Sequence, residues 1–440
     1  MKLKTLFCSI LALAMALGAV AEPLPQPAET PTTNLLSLTE VVSEVLSNNP
    51  SLKAARANWE AMKERIPQAR AWEDPRAGVD VTAGRFVDVP RNSFSDQKYM
   101  LEQALPLSGK NRLRGQAASA EALSAFAEFH RRELDAVARA RTAYYRLANA
   151  HAQLDLNRKN ASLLRQFAEI SRTKYEVGTH SQADVLSAET ELAKLEENAF
   201  DFQRQISEAE TQLNTLMARP AQASLGNPPA PTFRPVSLSL DKLEGLALAH
   251  RPELIKAVQK IEAAQARLDA ARKEWIPEPN LRVQADRYNG AAQVISEVSA
   301  GFSINLPWFN HAKYKAGIEE NKKMLESAQH ELEAARIETL GLVRDQFRKI
   351  ETFHHHTELS RTKLLPLAEQ RVTATRLGYE ADKAGFLDLL MAQQGVQEIE
   401  SMYWEHLTDY QMALAELEAL VGTNPNISAA SAAEHQHDSK

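Results

Sequence analysis

Three adjacent histidines, His354 to His356, and a separate pair, His435 and His437, are the residues of this 440-residue chain whose types best suit a metal ion. A tight site for zinc or a similar ion needs three or four donors converging on one point. Successive helical side chains diverge by about 100°, so the triplet cannot converge from a single helix and reads as a polar patch. His435 and His437 stand in a Ser/Ala-rich tail that reads as disordered, and His406 stands in an apolar seam, where packing is its expected role. Ser108-Gly109-Lys110 lacks the upstream glycine of a phosphate-binding loop, and the chain has no GxSxG, no HExxH and one cysteine, Cys8. An enzyme is not expected, and neither is a bound metal or cofactor.

The remaining polar signal is duplicated. "YEVGTHSQADVL" (Tyr175 to Leu186) breaks a long helical pattern, and a blurred copy, "YEADKAGFLDLL", stands at Tyr379 to Leu390, an offset of 204. Asp184 and Asp388 fall where the next helix starts, a favourable place for a negative charge against the helix dipole.

The elements that hold these turns are also written twice. Leu38/Leu240, Pro50/Pro252, Leu52/Leu254 and Pro75/Pro277 keep an offset of 202, and Leu105-Pro106 answers Leu306-Pro307 at 201. Two homologous halves are expected, repeat 1 over 37–218 and repeat 2 over 240–422, separated by a Pro-rich linker at 219–239. Each half opens with a helical stretch (Ser37 to Trp72, Leu240 to Trp275), entered near a Thr or Asp that can cap it and interrupted at Asn49-Pro50 and Arg251-Pro252. Two alternating segments follow, marked by Ala77, Val79, Val81, Ala83, then Tyr99, Leu101 and Leu105; the second half gives Leu281, Val283, Ala285, then Val294, Val298, Ala300, Phe302, Ile304 and Leu306. Such alternation predicts strands with one apolar face.

Next come helices of unusual length. No proline lies between Pro106 and Pro220, and Lys110 to Tyr175 corresponds to roughly 100 Å of helix. The returning helices carry sustained heptads: Val185, Ala188, Leu192, Leu195, Ala199, Phe202, Ile206, Ala209, Leu213 and Leu216, and, in the second copy, Leu389, Ala392, Val396, Ile399, Tyr403, His406, Tyr410, Ala413, Leu417 and Leu420. Both predict knobs-into-holes packing. Pro366 is expected to kink the second descending helix.

The ends and the charge narrow the setting. Residues 1–21 have Lys2 and Lys4 before an apolar run and small residues Ala19 and Ala21, the pattern of a cleaved secretory signal; 22–36 reads as a linker and 423–440 as a tail. The formal net charge of −6 disfavours a nucleic-acid partner. Beyond the signal no run approaches the ~18 apolar residues of a membrane-spanning helix, so a membrane crossing would have to use strands. Four strands cannot close a sheet in lipid, which requires at least about eight; chains must then pool them, and 8, 12 and 16 strands all remain open. A soluble coiled-coil protein with surface hairpins is the competing architecture.

In its layout the chain resembles the TolC family of outer-membrane efflux proteins. The matching features are the helix starts at Asn49, Pro50, Leu52 and at Arg251, Pro252, Glu253, Leu254, the Leu-Pro strand exits, the Tyr175 to Gly178 turn, and the re-entries at Asp184 and Asp388, in order from about Ser37 to Gly422. "QALPLSGKNRLR" (Gln103 to Arg114) and Leu364 to Leu390 resemble the heavy-metal branch, the partners of cobalt-zinc-cadmium and copper-silver pumps. Two features depart from it: the second turn has Asp382 where glycine is usual, with Gly385 three residues on, and no lipidated cysteine follows the signal.

The resemblance implies a mainly α fold with a membrane β-barrel, that is, a homotrimer whose helices form a periplasmic tunnel and whose strands form one 12-stranded barrel in outer-membrane lipid. It implies a passive exit duct serving an inner-membrane resistance-nodulation-division pump through a periplasmic adaptor, for heavy-metal cations; drug efflux and type I secretion are the alternatives within transport, and a periplasmic adaptor or structural coiled coil is the alternative outside it. The two turns become tips at the periplasmic mouth. Gly178, Thr179, His180 and Ser181, with Asp382, Lys383, Ala384 and Gly385, are then the expected adaptor contacts, and Glu380, Asp382, Asp184 and Asp388 the candidates for a charged constriction.

Overall fold

A computed structural model describes residues 35–83, 95–178, 181–233, 239–288, 292–381 and 383–423. The signal segment, linker residues 22–34, Thr179, His180, Asp382, and the tail from 424 with His435 and His437 lie outside the described residues.

The first half runs α1 (Leu38–Asn48), α2 (Pro50–Arg70), β1 (Arg76–Val81), β2 (Ser95–Ala104), α3 (Lys110–Glu176) and α4 (Gln182–Leu216). The second repeats the order as α5 (Leu240–His250), α6 (Pro252–Lys273), β3 (Pro279–Tyr288), β4 (Glu297–Ile304), α7 (His311–Leu359), α8 (Leu365–Glu380) and α9 (Phe386–Val421). The breaks at Asn49 and Arg251 differ in chemistry. Asn49 caps α2, its side-chain oxygen accepting from Ser51 N at 2.9 Å while its amide donates to Leu216 O at 2.9 Å. Arg251, 7% exposed, pairs instead with Glu253 at 3.1 Å and donates to Thr339 Oγ1 at 3.1 Å.

The sheet is antiparallel in the order β1-β2-β3-β4, so β2 and β3 join the two halves. Its register sorts the side chains cleanly, because directly paired residues share a face. Ala77, Leu101, Val283 and Ala300 form one row, Val79, Tyr99, Ala285 and Val298 the next. The opposite face carries Asp80, Lys98, Asp286 and Glu297 in one row and Arg76, Glu102, Arg282 and Gly301 in another, with Arg282 donating to Glu102 at 3.1 Å. The apolar face lies open: Val298 is 65% and Phe302 68% exposed. Among the described residues β1 and β4 each have a single neighbour, leaving two unpaired edges. The strands are shorter than the alternation implies. Ala83, Leu105, Val294 and Leu306 fall outside them, because apolar alternation persists into segments where the chain is already turning.

A layer of hydrogen bonds ties the four strand-to-helix junctions together. Gln103 donates to Glu73 O at 2.9 Å, Asn111 to Ala71 O at 2.6 Å, Ser108 to Glu278 Oε1 at 2.6 Å, and Glu278 N to Asn305 Oδ1 at 2.7 Å. Below them α3 is the spine. It runs 67 residues without a break and packs against α2, α4, α6 and α9. Its buried positions are mainly alanine, including Ala117, Ala120, Ala136, Ala140 and Ala143, small enough to bring neighbouring helices close. Glu128 on α3 joins Arg131 and Arg132 of the same helix and Lys256 of α6. The Arg131 hydrogen bond, with help from Lys256, holds its carboxyl at about 2. Both heptad seams are buried or half-buried throughout, packed on α3 and α7.

Pro366 interrupts the descending helix by widening it rather than by the expected simple kink. A π-helical turn, Ser360–Leu364, precedes α8, with Leu365 N donating five residues back to Ser360 O. The wider turn absorbs the donor that proline lacks.

Gly422 ends α9 at φ 78°, and a Cβ there would lie 2.6 Å from His250 O. Gly245, within α5, has nothing within 4 Å of an added Cβ. Gly422→Ala is expected to destabilise by about 1–3 kcal/mol, and Gly245→Ala to stabilise by about 0.5–1 kcal/mol; thermal midpoints of the two variants should shift in opposite directions from wild type.

Candidate functional site

The two turns reach the same end of the molecule. Ala161 and Leu164 of α3, Ala188 and Leu195 of α4, and Tyr379, Phe386, Leu389 and Leu390 of the second hairpin form one buried cluster. Lys174, two residues before the end of α3, lies 4.4 Å from the Tyr379 ring centre and 3.4 Å from its carbonyl oxygen.

The tips close differently. At the first, Gly178 adopts φ 80°, the left-handed region that favours glycine. At the second, Lys383 N and Ala384 N both donate to Gly378 O, at 2.8 and 3.2 Å. Gly385 is not a left-handed turn residue: it is the extended residue before α9, at φ −78°. Likeness to Gly178 in composition does not carry over to backbone. Asp184 and Asp388 occupy equivalent places, their carboxylates accepting from Ser181 N at 3.3 Å and Gly385 N at 3.0 Å. Each satisfies an amide at a helix start. Glu380 stands on the surface, 3.8 Å from Arg376.

Side chains absent from the sequence-based site are the apolar ones around the turns. Val177 is 74% exposed, and Leu186, Leu377, Leu387 and Met391 are each more than half exposed. Their signal was available as apolar residues off the heptad seam. These apolar side chains stand exposed around both turns.

Higher up, amides tie the limbs together, both within the first hairpin and between it and α9. Gln153 and Ser401 exchange hydrogen bonds, Asn157 donates to Leu195 O at 2.8 Å, and Gln393 donates to Asn160 Oδ1 at 3.3 Å. The histidine triplet divides. His354 packs against Phe233 and Tyr410, with ring centres 5.1 and 6.3 Å away, whereas His356 faces His406 of α9 at 4.9 Å. Burial, then the nearby His356, lowers the pKa of His406.

The model of the family described as "Outer membrane efflux protein" matches residues 41–219 and again 243–423. The chain belongs to that family. Among relatives of this outer membrane efflux protein, the probable efflux pump outer membrane protein SepC of Pseudomonas putida is 25% identical over 304 residues, 64% of this chain and 61% of SepC. The chain thus spans less than two thirds of that relative's length. The cobalt-zinc-cadmium resistance protein CzcC of Cupriavidus metallidurans is 22% identical over 395 residues, 88% of this chain and 90% of CzcC. The outer membrane protein VceC of Vibrio cholerae shares the fold, with a TM-score of 0.74 at 19% identity over 88% of this chain and 96% of that one. The fold is TolC-like, an α-helical body carrying four barrel strands.

Replacing Asp388 by alanine is expected to remove about 0.5–2 kcal/mol of local stability at the second tip, read as faster amide hydrogen exchange across Gly385 to Leu390. Gly178→Ala should loosen the first tip by about 1–2 kcal/mol, while Gly385→Ala leaves exchange at the second unchanged.

Proposed function

We propose that this outer membrane efflux protein is the exit duct of a tripartite export system, three copies closing one 12-stranded barrel and one helical tunnel. One observation carries the reading: a four-stranded sheet with an exposed apolar face, a charged opposite face and two unpaired edges. In lipid an unpaired edge is intolerable. Copies joined β4 to β1 satisfy every edge, turn the rows of Leu101 and Val298 to lipid and the rows of Lys98 and Arg282 to the lumen. In this arrangement energy comes from an inner-membrane resistance-nodulation-division pump, and a periplasmic adaptor bridges to the tips.

The adaptor contact comprises Gly178, Thr179, His180 and Ser181 with Asp382, Lys383, Ala384 and Gly385, flanked by the exposed Val177, Leu186, Leu387 and Met391. Threefold repetition would place Glu380 and Asp382 in rings at the mouth, where carboxylates favour cations; Asp184 and Asp388 are already engaged as caps. Heavy-metal cations are the cargo we infer. Support comes from the likeness to CzcC, which extends over 90% of that protein.

Phe302→Arg, on the apolar face, is expected to cost about 2–4 kcal/mol of barrel stability and to deplete the trimer on unheated gels. Ser303→Arg, one residue on and facing the other way, should leave it intact; equal effects would reject the inside-outside assignment. Deleting the gene should sensitise cells to cobalt, zinc or cadmium. Sensitivity confined to hydrophobic drugs would reject the cargo while leaving the duct, and a monomer soluble without detergent would reject the duct itself.

A further inference from the structure

We propose that His356 and His406 form a two-imidazole site for a late first-row divalent cation, of which copper and zinc are the best suited, in the wall between α7 and α9. The two rings come from different helices and face each other at 4.9 Å between centres, tilted by 46°. This removes the objection to the triplet, that neighbours on one helix cannot converge: only His356 is used, and its partner comes from across the groove. With metal–nitrogen bonds of about 2.1 Å, an ion in line with one nitrogen of each ring would lie about 3.2 Å from each centre, and centres 4.9 Å apart would then subtend about 100° at it, close to tetrahedral.

Two further observations point to a cation. The Nδ1 atom of His406 is buried with no hydrogen-bond partner, a costly state for an imidazole nitrogen that a metal bond would relieve. Glu405 and Asp409 place two carboxylates near enough to act on the same ring, although burial and His356 outweigh them for a proton. Both histidines are half-buried, so an ion can enter from solvent. Among the described residues no three His, Cys, Asp or Glu side chains converge. Water must therefore complete the coordination, and the binding expected is micromolar and reversible rather than that of a closed structural site. Imidazole is a preferred donor for copper and zinc.

The proposal stands apart from the duct reading, because it is tested by binding to the purified full chain, in detergent and without a polyhistidine tag. Titration with Cu2+ followed by electron paramagnetic resonance should give about one ion per chain with nitrogen couplings from two imidazoles, and Zn2+ should compete by calorimetry. His356→Gln and His406→Gln should each weaken binding by about tenfold or more, with circular dichroism confirming that the helices persist. His354→Gln and the double change His435→Gln, His437→Gln should leave the signal unaltered. Loss of the two-nitrogen signal only in the tail variant would overturn the site, as would indifference of binding to both core substitutions or a pair that takes up protons but no metal. Its failure leaves trimer formation and metal sensitivity untouched, and their failure leaves this titration readable.

Discussion

A hydrogen-bonding group stranded in hydrocarbon costs several kcal/mol, and that penalty organises this protein. Its sheet presents apolar rows outward from β1 to β4 and stops, in both directions, at an edge. In water the same sheet would be a poor design, since Val298 and Phe302 cover nothing and the edges invite uncontrolled pairing. Both apparent defects disappear if identical sheets continue one another. The internal duplication fits the same logic: two strands per repeat and two repeats per chain give a unit that begins and ends on equivalent edges, so each copy extends the next without a special closing element.

The helical part answers a different demand, that of length. A solitary helix the length of α3 would bend, and most of its stability must come from packing. Alanines at its buried positions let four helices approach it closely. Two cores lie along it, one around Leu147, Leu213 and Val45 and one at the tips around Leu164 and Leu389, while a third, around Val343, Tyr410 and Leu417, joins α5, α7 and α9 in the second repeat. Between them lie Gln153, Asn157 and Asn160, buried and bonded to specific partners. An all-apolar seam could slide by one heptad. Amides that must meet a particular partner fix the register, Asn157 within the first hairpin and Gln153 and Asn160 between the first hairpin and α9.

Much of this was legible in the sequence because it is periodic. The heptads of α4 and α9 could be read position by position, the offset of about 202 exposed the duplication, and the alternation from Leu281 to Ala285 gave the correct face of β3. What failed depended on relations between segments. Gly385 resembles Gly178 in composition, yet the turn around it is closed by bonds to Gly378 O, which no local rule anticipates. The pairing of His356 with His406 depends on the rotational phase of two helices well separated in the chain, whereas the spacing of a triplet speaks only for one. Pro366 announced an interruption, but whether the backbone bends or widens is decided by the neighbours that must be kept in contact.

That widening makes the two hairpins geometrically unequal. The first descends on an unbroken rod, whereas the second has an inserted residue in its ladder at Ser360–Leu364, where the backbone bond reaches one residue further back and the side chains beyond are advanced in phase relative to those above. The near-symmetry of the duplication is therefore broken at one level of one limb, and α8 meets α9 in a rotational phase that the matching stretch of α3 does not share with α4.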